Sequence, residues 1–238
     1  MNPDGPIGVV AEGWEGVRGA ELLRDELPHE DVLAVADQAF APYAKRRPDQ
    51  VAQRVGDLVD GLVAEGVKAL LLAGGHASFE ARVEPEGMAV RGLECGLREG
   101  LAEAKGRPLV AVYDTKPMPL AHTIRTLRGG GSVTLVERGD DDAAGLVARA
   151  LGHQPDAAVL VMLAAEDAEA VGEACDLPVV DALAAAVRFL VHDIRRHRLL
   201  AHHGLRPGRI TALATRGDRK STRLNSSHEW ISRMPSSA

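Results

Sequence analysis

Short apolar runs alternate with longer amphipathic stretches along most of the chain. The runs at 6–10, 31–37 and 67–73 are largely apolar, which is typical of strands buried on both faces of a sheet. Before the third run, apolar residues recur at three- and four-residue steps from Val51 onward, which predicts a helix that begins near Pro48. This alternation predicts an α/β protein with parallel strands flanked by helices.

The second half of the chain repeats the pattern. We predict a long alanine-rich helix over 182–203 and strands at 109–113, 132–136, 158–162, 178–181 and 209–215. In parallel sheets, small ligands bind beyond the carboxyl ends of the strands. The predicted places for chemistry are therefore the loops at 11–13, 37–44, 74–78 and 162–165.

Composition narrows the classes of function. The 238 residues carry a net charge of −6 with both signs spread along the chain and few aromatic residues, which argues against a nucleic-acid-binding protein. The longest apolar run, at 157–165, is about half as long as a membrane-spanning helix, so no membrane partner is expected. The first residues show no export signal, and two cysteines, Cys95 and Cys175, are too few for a disulfide framework. We expect a cytoplasmic protein.

Residues 218–238 differ in composition from the rest of the chain. They contain six serines, whereas 1–217 contains only Ser78 and Ser132. The peptide DRKSTRLNSSH at 218–228 also reads as the translation of a common short-read sequencing adapter. We therefore expect 218–238 to be an artefactual tail that replaces natural C-terminal residues, and the fold is predicted without it.

Five segments carry a resemblance to a known family. The stretch 7–16, IGVVAEGWEG, resembles the pattern I-G-V-x-D-S-G-x-G-G, and 34–44, AVADQAFAPYA, is similar to Y-x-G-D-x-x-x-x-P-Y-G. The run 66–78 resembles a strand that leads into an A-C-N-T-A-S loop. Residues 156–164 stand in the place of D-x-L-V-L-G-C-T-H, and 210–217 resembles a last strand with a T-G-D ending. These are motifs of glutamate racemases, and the chain resembles a divergent member of the aspartate/glutamate racemase family.

The resemblance implies two pseudo-symmetric α/β lobes that contain parallel sheets flanked by helices, with a cleft between the lobes. It places 5–91 and 181–217 in the first lobe and 92–180 in the second. Glutamate racemases need no cofactor and supply D-glutamate for peptidoglycan precursors. The resemblance therefore implies a small acidic metabolite as partner, and it allows a homodimer.

In this family the two bases are cysteine thiolates, one from each lobe, which remove and return a proton on opposite faces of the substrate. The matching positions in this chain are Gly74 and Met162. Glycine has no side chain, and a thioether cannot accept and return a proton. We therefore expect a glutamate racemase-like pseudoenzyme that lacks racemase activity and can still bind a small acidic metabolite.

The resemblance also supplies candidate ligand-binding residues. The family's Asp-Ser pair is replaced by Ala11-Glu12, and its Asn-Thr pair is replaced by Gly75-His76. The predicted substrate-binding residues are Glu12, Asp37, Tyr43, Gly75, His76 and Ser78. The alternative is an active amino-acid racemase or isomerase in which His76 and Glu12 replace the thiols, because an imidazole titrates near neutrality.

Other signals in the sequence are weaker. Gly74-Gly75 could cradle an anion with its amides, although a plain turn explains these glycines as well. Cys95 and Cys175 stand outside the motifs and are expected to be structural. The histidines late in the chain do not share one helix face, so no metal site is predicted.

Overall fold

The computed structural model describes residues 2–81, 83–113, 132–163, 168–202 and 206–215. The expected artefactual tail at 218–238 and the predicted loop positions 164–165 lie outside these residues. In the described part of the chain, nine strands form two separate parallel sheets.

The first sheet contains five of these strands. They are β1 (Ile7–Ala11), β2 (Val32–Ala36), β3 (Ala69–Leu72), β4 (Ala89–Gly92) and β9 (Ile210–Ala214). Their spatial order is β4-β3-β1-β2-β9, so the last described strand joins the sheet that the N-terminal strands build. In the register, Gly8 of β1 lies between Leu33 of β2 and Leu70 of β3. Every residue of β1 is buried, as expected for a central strand covered on both faces.

Helices cover this sheet. They are α1 (Glu15–Glu26), α2 (Pro48–Ala64) and α3 (Gly75–Glu80), with a short 3-10 turn at Tyr43–Lys45. Helix α2 begins at Pro48, as the sequence predicts, because proline lacks the amide hydrogen that a first helical turn leaves unused. The apolar stripe of α2, which includes Val51 and Leu62, is buried in one core with strand residues such as Leu70.

The second sheet contains the other four strands. They are β5 (Leu109–Tyr113), β6 (Val133–Glu137), β7 (Val159–Met162) and β8 (Val179–Asp181), in the spatial order β6-β5-β7-β8. The accompanying helices are α4 (Glu94–Ala104), α5 (Ala143–His153), α6 (Ala168–Glu173) and α7 (Ala182–Arg196). Asp181, the last residue of β8, caps α7 by accepting hydrogen bonds from the amides of Leu183 and Ala184.

Helices α4 and α7 lie where the two sheets meet. Gly96 of α4 approaches α7 so closely that a Cβ at this residue would lie 2.4 Å from the Cβ of Ala182. One apolar core contains residues of both sheets and both helices, including Leu71, Val161 and Leu190. Both helices pack against strands of both sheets. The predicted residue boundaries of the two lobes stay predictions.

The predicted α/β class with two parallel sheets is confirmed, and the predicted strands match the observed ones to within two residues at each end. The sequence does not predict β4, because three of its four residues are only half-buried and one of these is Arg91. The predicted helix over 182–203 is wrong at its C-terminal end. It ends at Arg196, and Arg198 then adopts a positive φ of 56°. None of the described helices is long and apolar enough to cross a membrane.

Candidate functional site

The carboxyl ends of the first sheet bring polar side chains together. Glu12 follows β1 directly, Asp37 follows β2, and Thr215 follows β9. Residues 74–78 follow β3 and open helix α3. Because parallel strands end at the same edge of a sheet, segments far apart in sequence meet here. We call this edge the candidate site, and the predicted ligand-binding residues lie at it in two groups.

Asp37 is the centre of the first group, a buried hydrogen-bond network. Arg54 of α2 donates from Nε and Nη2 to the two carboxylate oxygens, at 2.8 and 2.6 Å. The hydroxyls of Tyr43 and Thr215 donate to the same carboxylate, at 3.0 and 2.6 Å. The Asp37 side chain has no exposed surface. These bonds join the ends of β2 and β9 to α2 and to the 3-10 turn.

The ionisation of this network follows from its bonds. Burial alone raises the pKa of the Asp37 carboxyl, but the bonds from Arg54 and Thr215 outweigh burial and hold the pKa below its usual value. Burial, together with the charge of Asp37, raises the pKa of the Tyr43 hydroxyl, so this group stays a neutral donor. The bonds give Asp37 and Tyr43 a structural role, while their role in ligand binding stays a prediction.

Glu12 and Glu15 begin the second group. Oε2 of Glu12 accepts a hydrogen bond from the amide of Tyr43 at 2.5 Å. Oε1 of Glu15 accepts from the amides of Glu12 and Gly13, at 3.1 and 3.2 Å, and so holds the loop between β1 and α1. Burial raises the pKa of the Glu12 carboxyl, and the charge of Glu15 raises it further. The hydrogen bond from the Tyr43 amide lowers this pKa but does not outweigh burial.

His76 completes the second group. Its Nδ1 is 3.0 Å from Oε1 of Glu80, one turn later in α3. The side chain is only 9% exposed, and its Nε2 is buried without a hydrogen-bond partner among the described residues. The imidazole lies within electrostatic range of Glu12, because the protonated ring lowers the pKa of that carboxyl against the larger effect of burial. A buried ring nitrogen without a partner calls for an explanation, such as a bound water, an ion or a ligand.

The remaining predicted residues have positions that the backbone explains. Ser78 donates to the carbonyl of Leu72 at 2.8 Å and accepts from the amide of Leu93 at 3.0 Å, so it joins β3 to the start of α4. Gly75 is the half-buried first residue of α3. A Cβ at Gly74 would lie 3.2 Å from Oε1 of Glu15 and within 4 Å only of that side chain.

The second sheet presents a different surface at the matching place. Met162, the last residue of β7, is fully buried in an apolar core together with Val112 and Leu146. Leu163 is buried on the other face, in the core that the two sheets share. The described end of β7 therefore offers no group with acid–base chemistry.

The two cysteines do not form a replacement pair. Cys95 is buried between the sheets, and burial, followed by the charge of Glu94, raises the pKa of its thiol to about 12. Cys175 packs partly exposed against the separate core of the second sheet. In the described ranges, no group of three or more histidine, cysteine or acidic side chains is arranged to hold a metal ion.

Sequence reasoning misses four residues at this edge, which are Glu15, Arg54, Glu80 and Thr215. Glu15 stands at a glycine of the pattern I-G-V-x-D-S-G-x-G-G, and Glu80 stands one helical turn after His76, so both have a visible signal. Arg54 has none, because only the fold brings α2 against the end of β2.

Several known proteins with similar sequences and folds are glutamate racemases. The chain is 34% identical to the glutamate racemase of Ralstonia pickettii over 151 residues, which are 57% of this chain and 53% of that protein. The structure of glutamate racemase from Thermus thermophilus in complex with β-chloro-D-alanine gives a TM-score of 0.75 at 22% identity, over 92% of this chain and 90% of that chain. The enzyme of Francisella tularensis in complex with D-glutamate gives 0.76 at 16% identity, over 90% and 89% of the two chains.

Two limits accompany these similarities. The chain spans about half the length of the curated relative it matches, and no protein-family profile matches it. At 22% and 16% identity, the solved structures establish the shared fold alone. What the site can do follows from its own side chains.

Proposed function

Because this chain is a glutamate racemase-like protein of the aspartate/glutamate racemase family, we propose that it binds a small polar metabolite and does not racemise amino acids with cysteine thiols. One observation carries the proposal, and it concerns the two positions where the family motifs have cysteine. Gly74 has no side chain, and Met162 is fully buried in the core of the second sheet. Neither position offers a group that can carry a proton.

Inversion at an α-carbon needs proton-carrying groups on both faces of the substrate, because one face loses the proton and the other receives it. The first sheet offers such groups in Glu12 and His76. The described end of β7 offers Met162 and Leu163, which are apolar and buried. Among the described residues at the ends of β1, β3 and β7, a substrate would therefore meet acid–base groups on the side of the first sheet only.

The cysteines that the chain does have support the same proposal. With a thiol pKa of about 12, Cys95 is protonated at neutral pH and cannot act as a base. Both Cys95 and Cys175 are free thiols, which supports a reducing, cytoplasmic setting as part of the proposal. The proposal includes no cofactor. An acidic metabolite, a role in supplying peptidoglycan precursors and a homodimer stay predictions from the resemblance.

A second candidate function is proton transfer by His76 without inversion. A carboxylate at Nδ1 favours the tautomer whose Nε2 carries a lone pair, and this nitrogen is buried without a partner among the described residues. Nε2 could accept the α-proton of a bound amino acid, which leaves a carbanion on the substrate and an imidazolium beside Glu80. The imidazolium would then return a proton to the same face, so the configuration is retained.

Deuterium exchange distinguishes the two candidates. The full chain is incubated with L-glutamate or D-glutamate in heavy water, the α-proton is followed by NMR, and the enantiomers are separated afterwards. We expect no exchange above a sample without protein, while a relative with both cysteines, run in parallel, exchanges and inverts. Exchange with retention that is lost in His76→Ala, but kept when the exposed His192 is changed to Ala, would establish the second candidate. Inversion of either enantiomer would contradict both.

A further inference from the structure

We propose that the edge formed by Glu12, Glu15 and His76 binds a small organic cation that carries an ammonium or guanidinium group. The inference rests on the proposed function, since it names the ligand class of the same candidate site. Its basis is that each of these three side chains has a hydrogen-bond acceptor that the described residues leave unused.

Each of the two carboxylates has one oxygen engaged and one unused. Oε2 of Glu12 accepts from the amide of Tyr43, and Oε1 of Glu15 accepts from two amides of the β1–α1 loop. Oε1 of Glu12 and Oε2 of Glu15 have no hydrogen-bond partner within the described ranges. Both side chains are partly exposed, so a ligand can reach them. An ionised carboxylate only accepts hydrogen bonds, so both oxygens call for an N–H or O–H donor.

His76 gives an independent observation. Because Nδ1 is bonded to Glu80, Nε2 lies on the other edge of the ring and is directed away from that carboxylate. In the neutral tautomer that donates from Nδ1 to Glu80, Nε2 is a third acceptor. With the side chain only 9% exposed, bulk water is a poor partner for this nitrogen. In this tautomer the imidazole therefore offers an acceptor to a ligand that donates a hydrogen bond.

The negative charge of the edge favours cationic ligands over anionic ones. Within the described part of the chain, neither Glu12 nor Glu15 forms an ion pair with a lysine or arginine, and the guanidinium of Arg54 is engaged by Asp37. A dicarboxylate would meet charges of its own sign here, whereas an ammonium or guanidinium gains from both carboxylates. Charge and hydrogen-bond pattern thus agree on a cation with N–H donors.

A titration with three small probes tests this inference. Trp14 lies between Gly13 and Glu15 and is 77% exposed, so its fluorescence reports on the edge, and a Trp230→Phe variant makes it the single tryptophan. We expect saturable binding of 1,4-diaminobutane at constant ionic strength and no binding of succinate. Tetramethylammonium has the charge but no N–H donor, so we expect it to bind at least about tenfold more weakly. Tighter binding of succinate than of 1,4-diaminobutane would overturn the inference, and so would equal binding of the two cations.

Two further measurements locate the bound cation. Glu12→Gln keeps an acceptor for the Tyr43 amide but removes the charge, so 1,4-diaminobutane should bind about tenfold more weakly, whereas Glu103→Gln, an exposed site on α4, should change nothing. In the unmutated chain, the ¹⁵N chemical shift of Nε2 of His76 should move during the titration, which does not depend on a variant folding. Unchanged affinity in Glu12→Gln, or an unmoved His76 resonance at saturation, would overturn the assignment.

Failure of this inference is distinguishable from failure of the proposed function. If 1,4-diaminobutane does not bind, the ligand class is wrong, while the absence of α-proton exchange with glutamate still supports the loss of racemisation. If the chain inverts glutamate, the proposed function is wrong, whether or not the three probes bind.

Discussion

The two sheets end differently at positions that the family motifs make equivalent. Beyond β3 and its neighbours, the first sheet has Glu12, Asp37 and His76, whereas the described end of β7 has Met162 and Leu163. Both sheets are parallel, and β3 and β7 each lead to a position where the family motifs have cysteine. The difference shows that a fold determines where chemistry can occur without determining that it occurs. One strand end has become part of the core while the other has stayed polar.

The polar edge of the first sheet also has a larger free-energy cost of burial than the apolar end of β7. Buried polar groups destabilise a protein unless they are bonded. Asp37 meets this requirement through Arg54, Tyr43 and Thr215, whereas Nε2 of His76 does not among the described residues. Met162 in the second sheet is buried in an apolar core and has no such cost. This unbonded nitrogen at the first edge is one of the observations on which the proposed ligand site rests.

The largest expected effect concerns the bonded part of the polar edge. Arg54→Met leaves the Asp37 carboxylate, which has no exposed surface, without its counter-charge, and we expect the free energy of unfolding to fall by about 3–5 kcal/mol at neutral pH. Asp37 has a lowered pKa in the folded protein, so its stabilisation is present above its unfolded pKa and is lost as the pH falls through its folded pKa. The difference between variant and unmutated chain should therefore shrink in acid. Urea unfolding at several pH values measures it.

A matched control for Arg54 is Arg188, which is half exposed and pairs with Glu99 at 2.5 Å. Arg188→Met should cost no more than about 1 kcal/mol, because water screens an exposed pair. If the two substitutions had equal cost, the Asp37 network would not stabilise the edge.

The second prediction compares the two motif positions directly. Met162→Ala removes a fully buried side chain from the core of the second sheet and should cost roughly 2–5 kcal/mol. Gly74→Ala should change stability by less than about 1 kcal/mol, because its φ of −97° and ψ of 150° suit any residue and its new Cβ meets only the Glu15 side chain. Chemical unfolding of both variants checks this. A small effect at Met162 with a large one at Gly74 would reverse our description of the two ends.

Much of the fold could be predicted because strands covered on both faces are continuous apolar runs. The strand predicted at 109–113 is β5, with the same residues, Leu109–Tyr113. Strand β4 lacks this pattern, because it is a half-buried edge strand that contains Arg91. The end of α7 was not predictable either, since Arg198 leaves the helix through a backbone conformation that its side chain does not encode.

The candidate site was predictable where its residues lie in the motifs that follow the strands. Glu12, Asp37 and His76 could be named because the family motifs and the predicted strand ends coincide there. The pairing of Asp37 with Arg54 arises from the packing of α2 and has no counterpart in sequence spacing. The sequence does not show which basic residue is already engaged by a carboxylate, so the charge available to a ligand at this edge was not predictable, and the acidic metabolite stays a prediction.

The smallest expected effect concerns Glu12, which lies in the part of the polar edge that has unused acceptors. Burial, together with the charge of Glu15, raises the pKa of Glu12 in the folded protein, so its protonated form favours folding. This contribution is fully present below the unfolded pKa of Glu12 and is lost as the pH rises through its raised folded pKa. Glu12→Gln cannot titrate, so its stability relative to the unmutated chain should increase from acid to neutral pH, with Glu103→Gln correcting for the loss of a carboxylate elsewhere. Thermal unfolding across this range, without added amine, gives the slope. A slope of opposite sign would mean that the Glu12 carboxylate is already neutralised by a group of the protein, and a cation would then have no place beside it.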